Sequence, residues 1–151
     1  MTLVDIREES RAPAGRDVLI IEDDAVQLSE IGGFLERSGI SVSPSSGGSG
    51  GLHDVAEVNP RVAIVDYNLP DMDGMTVAER IHRLSPGTSV ILVSGRIDFV
   101  PDMVMDKHGV VAFMAKPISL KALRSLVRKI LRRPEKTTRA QLQSPFLRLF
   151  S

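Results

Sequence analysis

The chain has 151 residues, 42% hydrophobic and 25% charged, with 19 basic side chains against 19 acidic ones and no cysteine. Balanced charge gives no global pull toward nucleic acid or an anionic membrane. The lack of cysteine excludes disulfides, thiolate metal sites and cysteine nucleophiles.

Residues 1–16 are polar and mixed in charge. They lack the apolar stretch of a signal peptide, and no segment approaches a membrane span. A disordered N-terminal extension on a cytoplasmic protein is the expectation. Val18-Leu-Ile-Ile21 then forms a short, unalternating apolar run, as a strand covered on both faces should. Glu22-Asp23-Asp24 follows it, and Asp24 is placed to cap a first helix. Leu28, Ile31 and Leu35 mark that helix's apolar face. Gly32-Gly33 falls inside it; each glycine there costs about 0.5–1 kcal/mol against alanine and reads as close packing or a kink.

Ile40-Ser-Val42 is a weaker strand candidate. Gly47-Gly-Ser-Gly-Gly51 lacks the order of a dinucleotide fingerprint or a Walker lysine and reads as a flexible turn. Leu52, Val55 and Val58 mark a second helix. The run Val62-Ala-Ile-Val65 ends abruptly in Asp66, and Tyr-Asn-Leu-Pro-Asp-Met-Asp-Gly74 supplies a turn with further acids. Asp71 and Asp73 read as loop and cap residues. Val77, Ile81 and Leu84 give a third helix, and Val90-Ile-Leu-Val93 a further strand. Pro101 suits the first turn of a short helix reaching about Lys107. Val110-Val-Ala-Phe-Met114 is the last strand. Ser119 caps a helix with the stripe Leu120, Leu123, Val127 and Ile130. His53, His82 and His108 are scattered and read as surface residues.

Strand and helix alternate five times, which implies a doubly wound parallel sheet of five strands with helices on both faces. Parallel strands put their carboxyl ends on one edge. That edge would hold Glu22, Asp23 and Asp66, with Asn68 nearby, the hydroxyl of Ser94 beside Gly95, and Lys116 before Pro117. Clustered carboxylates repel one another, and a hard divalent cation with oxygen ligands, Mg²⁺, resolves the conflict. Phosphoryl transfer needs charge neutralised on the equatorial oxygens and a nucleophile held in line. Asp66 suits the nucleophile, Lys116 the charge, and Ser94 a hydrogen bond to a phosphoryl oxygen.

These residues, in this order over roughly residues 17–132, resemble the receiver domain of two-component response regulators. The resemblance rests on Glu22-Asp23, Asp66 with its following turn, Ser94, Lys116-Pro117, and Phe113 three residues before the lysine. It implies a flavodoxin-like (βα)5 fold and a phosphorylation of Asp66 to 4-aspartylphosphate by a sensor histidine kinase or a histidine phosphotransfer protein. It implies Mg²⁺ on the side chains of Asp23 and Asp66 and the Asn68 carbonyl, with Glu22 acting through water. Lys116 would contact the phosphoryl group across a peptide bond to Pro117 that is often cis in the family. Ser94 and Phe113 would form the switch, shifting the face made by the short helix, the last strand and the last helix between two populations.

Serine stands where threonine is also common, and Phe113 where tyrosine is frequent, so outward contacts of Phe113 would be apolar. In the family the residues two past the phosphoacceptor and two past the hydroxyl tune dephosphorylation, so the resemblance implies that Asn68 and Arg96 would hold those roles. The resulting expectation is a receiver domain over 17–133 and a C-terminal tail over 134–151 without an output domain. The chain would be no enzyme beyond its own phosphorylation and dephosphorylation, and either a monomer or a phosphorylation-dependent dimer. Output would pass through a downstream protein partner, with no nucleic acid and no membrane involved. The apolar cluster Phe146, Leu147, Leu149 and Phe150 is either part of a disordered tail or a segment that docks in a groove. Two alternatives stand beside this reading. One is a phosphorylation-independent pseudo-receiver; the other is an aspartyl-phosphate hydrolase, which would need an aspartate where Asn68 stands.

Overall fold

The computed structural model describes residues 17–95 and 108–133. The expected extension over 1–16, Arg96, the short helix over 101–107 and the tail over 134–151 lie outside the described residues.

In chain order the elements are β1 (Val18–Ile21), α1 (Ala25–Arg37), β2 (Val42–Ser45), α2 (Gly48–Val58), β3 (Val62–Asp66), α3 (Gly74–Leu84), β4 (Ser89–Ser94), β5 (Val110–Ala115) and α4 (Leu120–Leu131). The strands form one sheet in the order β2-β1-β3-β4-β5, every pair parallel. This is the doubly wound, flavodoxin-like arrangement. The order reverses between β1 and β3, and a crevice opens outside the carboxyl ends of strands at such a reversal.

Every residue of β1, β3 and β4 is buried, which explains their unalternating apolar runs. Alternate side chains divide between the two faces. Val18, Ile20, Ile64 and Val93 pack with Ile31 and Leu35 of α1 and with Leu123, Leu126, Val127 and Ile130 of α4. Leu19, Ile21, Val65 and Leu92 pack with Val55 of α2 and with Val77 and Ile81 of α3. Of the predicted helix stripes, Ile31, Leu35, Val55, Val77, Ile81, Leu123, Val127 and Ile130 are core; Leu28, Leu52 and Leu120 pack against it partly buried, Val58 is half-buried and Leu84 ends α3 at 54% exposed.

Three expectations change. The weak strand lies at Val42–Ser45 rather than over residues 40–42. It is an edge strand with β1 as its one neighbour, so it needs no apolar run and tolerates Pro44. The glycine-rich segment is not a turn, because Gly48 to Gly51 form the first turn of α2. A Cβ on Gly51 would lie 2.4 Å from Ile21 Cδ1, so only glycine lets α2 settle this closely on β1. Finally, His53 is exposed as expected, but His82 and His108 are half-buried, and a Cβ on Gly109 would stand 3.3 Å from His82 Nδ1. Helix α1 meanwhile runs unbroken through Gly32-Gly33. A Cβ on Gly32 would stand at ordinary contact distance, 3.7 Å from Val42 and 3.8 Å from Ile20.

Two further features position the site. Val90 pairs with Val110 but Ile91 pairs with Ala112, so Val111 is an extra residue, a bulge, in β5. Val111 and Ala112 consequently share the α1/α4 face, and Phe113 turns to the α2/α3 face. At the opposite end of the sheet, the guanidinium of Arg61 donates to the carbonyls of Leu131 (2.8 Å), Ile130 (3.3 Å) and Arg133. It closes the C-terminal end of α4, where carbonyls lack helical partners.

Candidate functional site

The site is built where β1 and β3 leave the sheet. Glu22 directly follows β1, and its N–H donates to the Ser45 carbonyl at 3.0 Å. The residue is only 3% exposed. Oε2 accepts from the Asp24 N–H at 3.2 Å, while Oε1 accepts from Lys116 Nζ at 3.1 Å. Asp24 itself caps α1, accepting from Val26 N at 2.9 Å and Gln27 N at 3.2 Å. Those bonds, the Gln27 N–H foremost, hold its carboxyl below the ordinary range.

Asp66 ends β3 and is 6% exposed. Oδ1 accepts from Asn68 N at 3.1 Å and Oδ2 from Lys116 Nζ at 3.2 Å. The turn that follows folds tightly. Asn68 and Asp73 form an antiparallel bridge, and Gly74 N donates to the Tyr67 carbonyl at 2.7 Å. A Cβ on Gly74 would lie 2.6 Å from Tyr67 Cα and 3.0 Å from the Asp66 carbonyl oxygen, so glycine is required there. Asp73 caps α3 through Thr76 N at 2.8 Å.

Lys116 directly follows β5, and a cis peptide bond joins it to Pro117. Its backbone N–H donates to the Ser94 carbonyl at 2.8 Å. The lysine and the hydroxyl-bearing residue are therefore tied through the main chain. Ser94 is fully buried at the end of β4, one residue past Val93, the register partner of Asp66.

Electrostatics follow from this packing. Burial, together with the neighbouring Asp66 carboxyl, pushes Glu22 up to about 7, against partial relief from the Asp24 N–H and Lys116. Burial alone would lower the Lys116 ammonium, but the Glu22 hydrogen bond and the charges of Asp66 and Glu22 outweigh it and hold the group above its ordinary value. Carboxylate oxygens of Glu22, Asp23 and Asp66 lie within 4.8 Å of one another. Asp23 and Asn68 are exposed, so the set opens to solvent on one side. An oxygen-only donor set with room for water fits Mg²⁺.

The expected residues Glu22, Asp23, Asp66, Asn68 and Lys116 thus come together, and Ser94 stands on the adjoining strand end. Phe113 lies three residues back along β5. It is 6% exposed, with its ring 6.3 Å from that of Tyr67.

The sequence model of the response regulator receiver domain matches residues 18–128. The chain belongs to that family. Among curated relatives of the receiver domain, it is 31% identical to the transcriptional regulatory protein AfsQ1 of Streptomyces coelicolor. The match covers 119 residues, 79% of this chain and 52% of AfsQ1. It is 32% identical to the transcriptional regulatory protein CseB of the same organism, over 77% of this chain and 49% of CseB. The chain therefore spans about half the length of these relatives. A CheY-like response regulator receiver domain protein from Methanospirillum hungatei superposes with a TM-score of 0.72 at 27% identity. That superposition covers 78% of this chain and 94% of the other. Receiver domains are signalling modules rather than classical enzymes. Phosphorylation of an aspartate is their general role, they bind Mg²⁺ at an acidic pocket, and they interact with histidine kinases or phosphotransfer proteins. No helix of this receiver domain, among the described residues, is long and apolar enough to cross a membrane.

Two contacts escaped the sequence reading. Tyr67 packs against Phe113. Asp71 reaches across to α2, where its oxygens accept from Gly48 N at 3.0 Å and Ser49 N at 2.8 Å. A glycine run without a capping side chain of its own was the one available hint of the second contact.

Proposed function

We infer that the chain, through the unit spanning 17–133, is a phosphoacceptor signalling protein of a two-component system or phosphorelay. Asp66 takes a phosphoryl group from the phosphohistidine of a sensor histidine kinase or a histidine phosphotransfer protein. A carboxylate oxygen of Asp66 attacks phosphorus, the P–N bond breaks, and its electron pair returns to the imidazole. The observation that carries this reading is the position of Lys116 Nζ, 3.2 Å from Asp66 and 3.1 Å from Glu22. A fixed cation beside the nucleophile stabilises charge that develops on the transferring group. Mg²⁺ held by Asp23, Asp66 and the Asn68 carbonyl, with Glu22 behind water, would supply further neutralisation of the equatorial oxygens.

Ser94 donates its hydroxyl to the phosphoryl group, and the Ser94–Lys116 backbone bond links that movement to β5. Phe113 follows and changes the face presented to a downstream protein. Beside Lys116, an open groove of about 410 Å³, lined by Gln27, Ile31, Pro117, Ile118 and Leu120 among others, offers a partner an apolar foothold. The balanced charge favours a protein over nucleic acid as that partner. Asn68 stands where an aspartyl-phosphate hydrolase would need its second aspartate, which argues against multiple turnover.

Incubation with acetyl phosphate or phosphoramidate and Mg²⁺ tests the reading by intact mass. The native chain gains one phosphoryl group and Asp66→Ala gains none. A native chain that stays unmodified but binds its partner unaffected by Asp66→Ala is a pseudo-receiver instead.

A further inference from the structure

Asp71 does not serve its own helix. Both of its oxygens accept main-chain N–H groups of α2, from Gly48 and Ser49, 23 and 22 positions away. Helix α2 has no local alternative, since Gly47 at its N-cap offers no side chain. The two N–H groups, Ser49 foremost, hold the Asp71 carboxyl below the ordinary range. Met72 adds a packed contact at the same place, because a Cβ on Gly48 would lie 2.6 Å from Met72 Cγ.

Tyr67 N donates to the Val93 carbonyl at 2.8 Å and Leu69 is buried in the core, while the hydrogen bonds that follow stay within the turn. Asn68 N bonds Asp66, Asn68 pairs with Asp73, and Gly74 N bonds Tyr67. Asp71 ties the turn to a separate element. That element is seated by Gly51 against Ile21, the residue before Glu22. The turn carrying Asn68 and the strand end carrying Glu22 are thereby joined through α2.

We propose that Asp71 is a positioning residue for the metal site, clamping the turn after Asp66 to the start of α2 so that Asp66 and Asn68 keep their places. The proposal rests on the assignment of Asp66 and Asn68 as metal ligands. Residues that orient ligands without touching a metal typically govern its affinity by roughly 10–100-fold.

A simple cap would also stabilise α2, so stability alone does not separate the two roles. Gly47 does. Its backbone (φ −162°, ψ 165°) is extended and open to any residue, and a Cβ there would stand 3.9 Å from the Asp71 oxygens. Gly47→Ser in an Asp71→Ala chain gives α2 a local cap without restoring the clamp.

The experiment measures thermal stability and Mg²⁺ affinity of the full chain. Affinity is followed by calorimetry and by fluorescence of Tyr67, the single tyrosine in a chain without tryptophan. Asp71→Ala is expected to weaken Mg²⁺ binding roughly ten-fold. Gly47→Ser should then restore the melting temperature while affinity stays low. Native affinity in Asp71→Ala, or recovery of both properties by Gly47→Ser, overturns the proposal. Phosphoryl uptake by Asp66→Ala would instead overturn the phosphoacceptor reading and leave this comparison intact.

Discussion

Lys116 Nζ hydrogen-bonds Glu22 at 3.1 Å although the two residues stand 94 positions apart in the chain. The same ammonium reaches Asp66 at 3.2 Å, so two buried carboxylates share one cation. Lys116→Met should keep the fold, seen by circular dichroism. It should slow phosphoryl uptake from acetyl phosphate by ~100-fold or more, the usual cost of removing one donor from a site of developing charge. An unchanged time course by intact mass would reduce Lys116 to a neutraliser of buried acids.

Glu22 gives the metal-free protein an unusual pH response. Its carboxyl stands at about 7 in the folded chain against an ordinary 4.5. Between those values the native state binds more protons than the unfolded state. Stability therefore falls as pH rises through that window, opposite to a carboxylate whose folded pKa is depressed. In urea unfolding with a chelator, the native chain should lose on the order of 1–2 kcal/mol between about pH 5 and about pH 7.5 relative to Glu22→Gln, solvent screening included. Asp24 and Asp71, both held below the ordinary 3.8, contribute stability that is lost only as pH falls below that range. Because ligands must be deprotonated, Mg²⁺ should stabilise the native chain more at the higher pH. Parallel slopes in the two chains would rule out Glu22 as the cause.

Two glycines predict opposite outcomes for the same substitution. Gly74→Ala drives a methyl to 2.6 Å from Tyr67 Cα, a backbone atom that cannot swing aside. Lower thermal stability and weaker Mg²⁺ binding should appear together. Gly32→Ala meets Val42 and Ile20 at ordinary distances inside α1. A gain of about 0.5–1 kcal/mol in chemical unfolding is expected, with Mg²⁺ affinity unchanged.

Arg61 separates stability from function. Its fork holds carbonyls at the end of α4, far from the strand ends that carry Asp66 and Lys116. Arg61→Ala should cost about 1–2 kcal/mol, and Arg61→Lys should recover little because a point ammonium cannot reproduce the planar fork. Phosphoryl uptake at a temperature where both variants are folded should match the native rate.

Strands buried on both faces announce themselves, because nothing in them needs to be polar; β1, β3 and β4 were legible for that reason. β3 and β4 end in Asp66 and Ser94 and Glu22 directly follows β1, so these three candidates were legible with them. The edge strand β2 was not, since Val-Ser-Pro-Ser carries no such run. The start of α2 was hidden for a different reason. Its glycines look like a turn until Ile21 presses on Gly51 and Asp71 supplies the cap. Sequence holds no local trace of a partner more than twenty positions away.

The bulge at Val111 has a reach beyond its own strand. With Val90 opposite Val110 and strict pairing onward, Ser94 would meet Met114; the supernumerary residue brings Ala115 there instead. One residue of slip is roughly 3.3 Å of travel along a strand and a swap of sides. Without it Lys116 would overshoot the two carboxylates, and Phe113 would point away from Tyr67. A single added link in the outermost strand acts as a phase adjuster that aims the cation at the centre of the sheet.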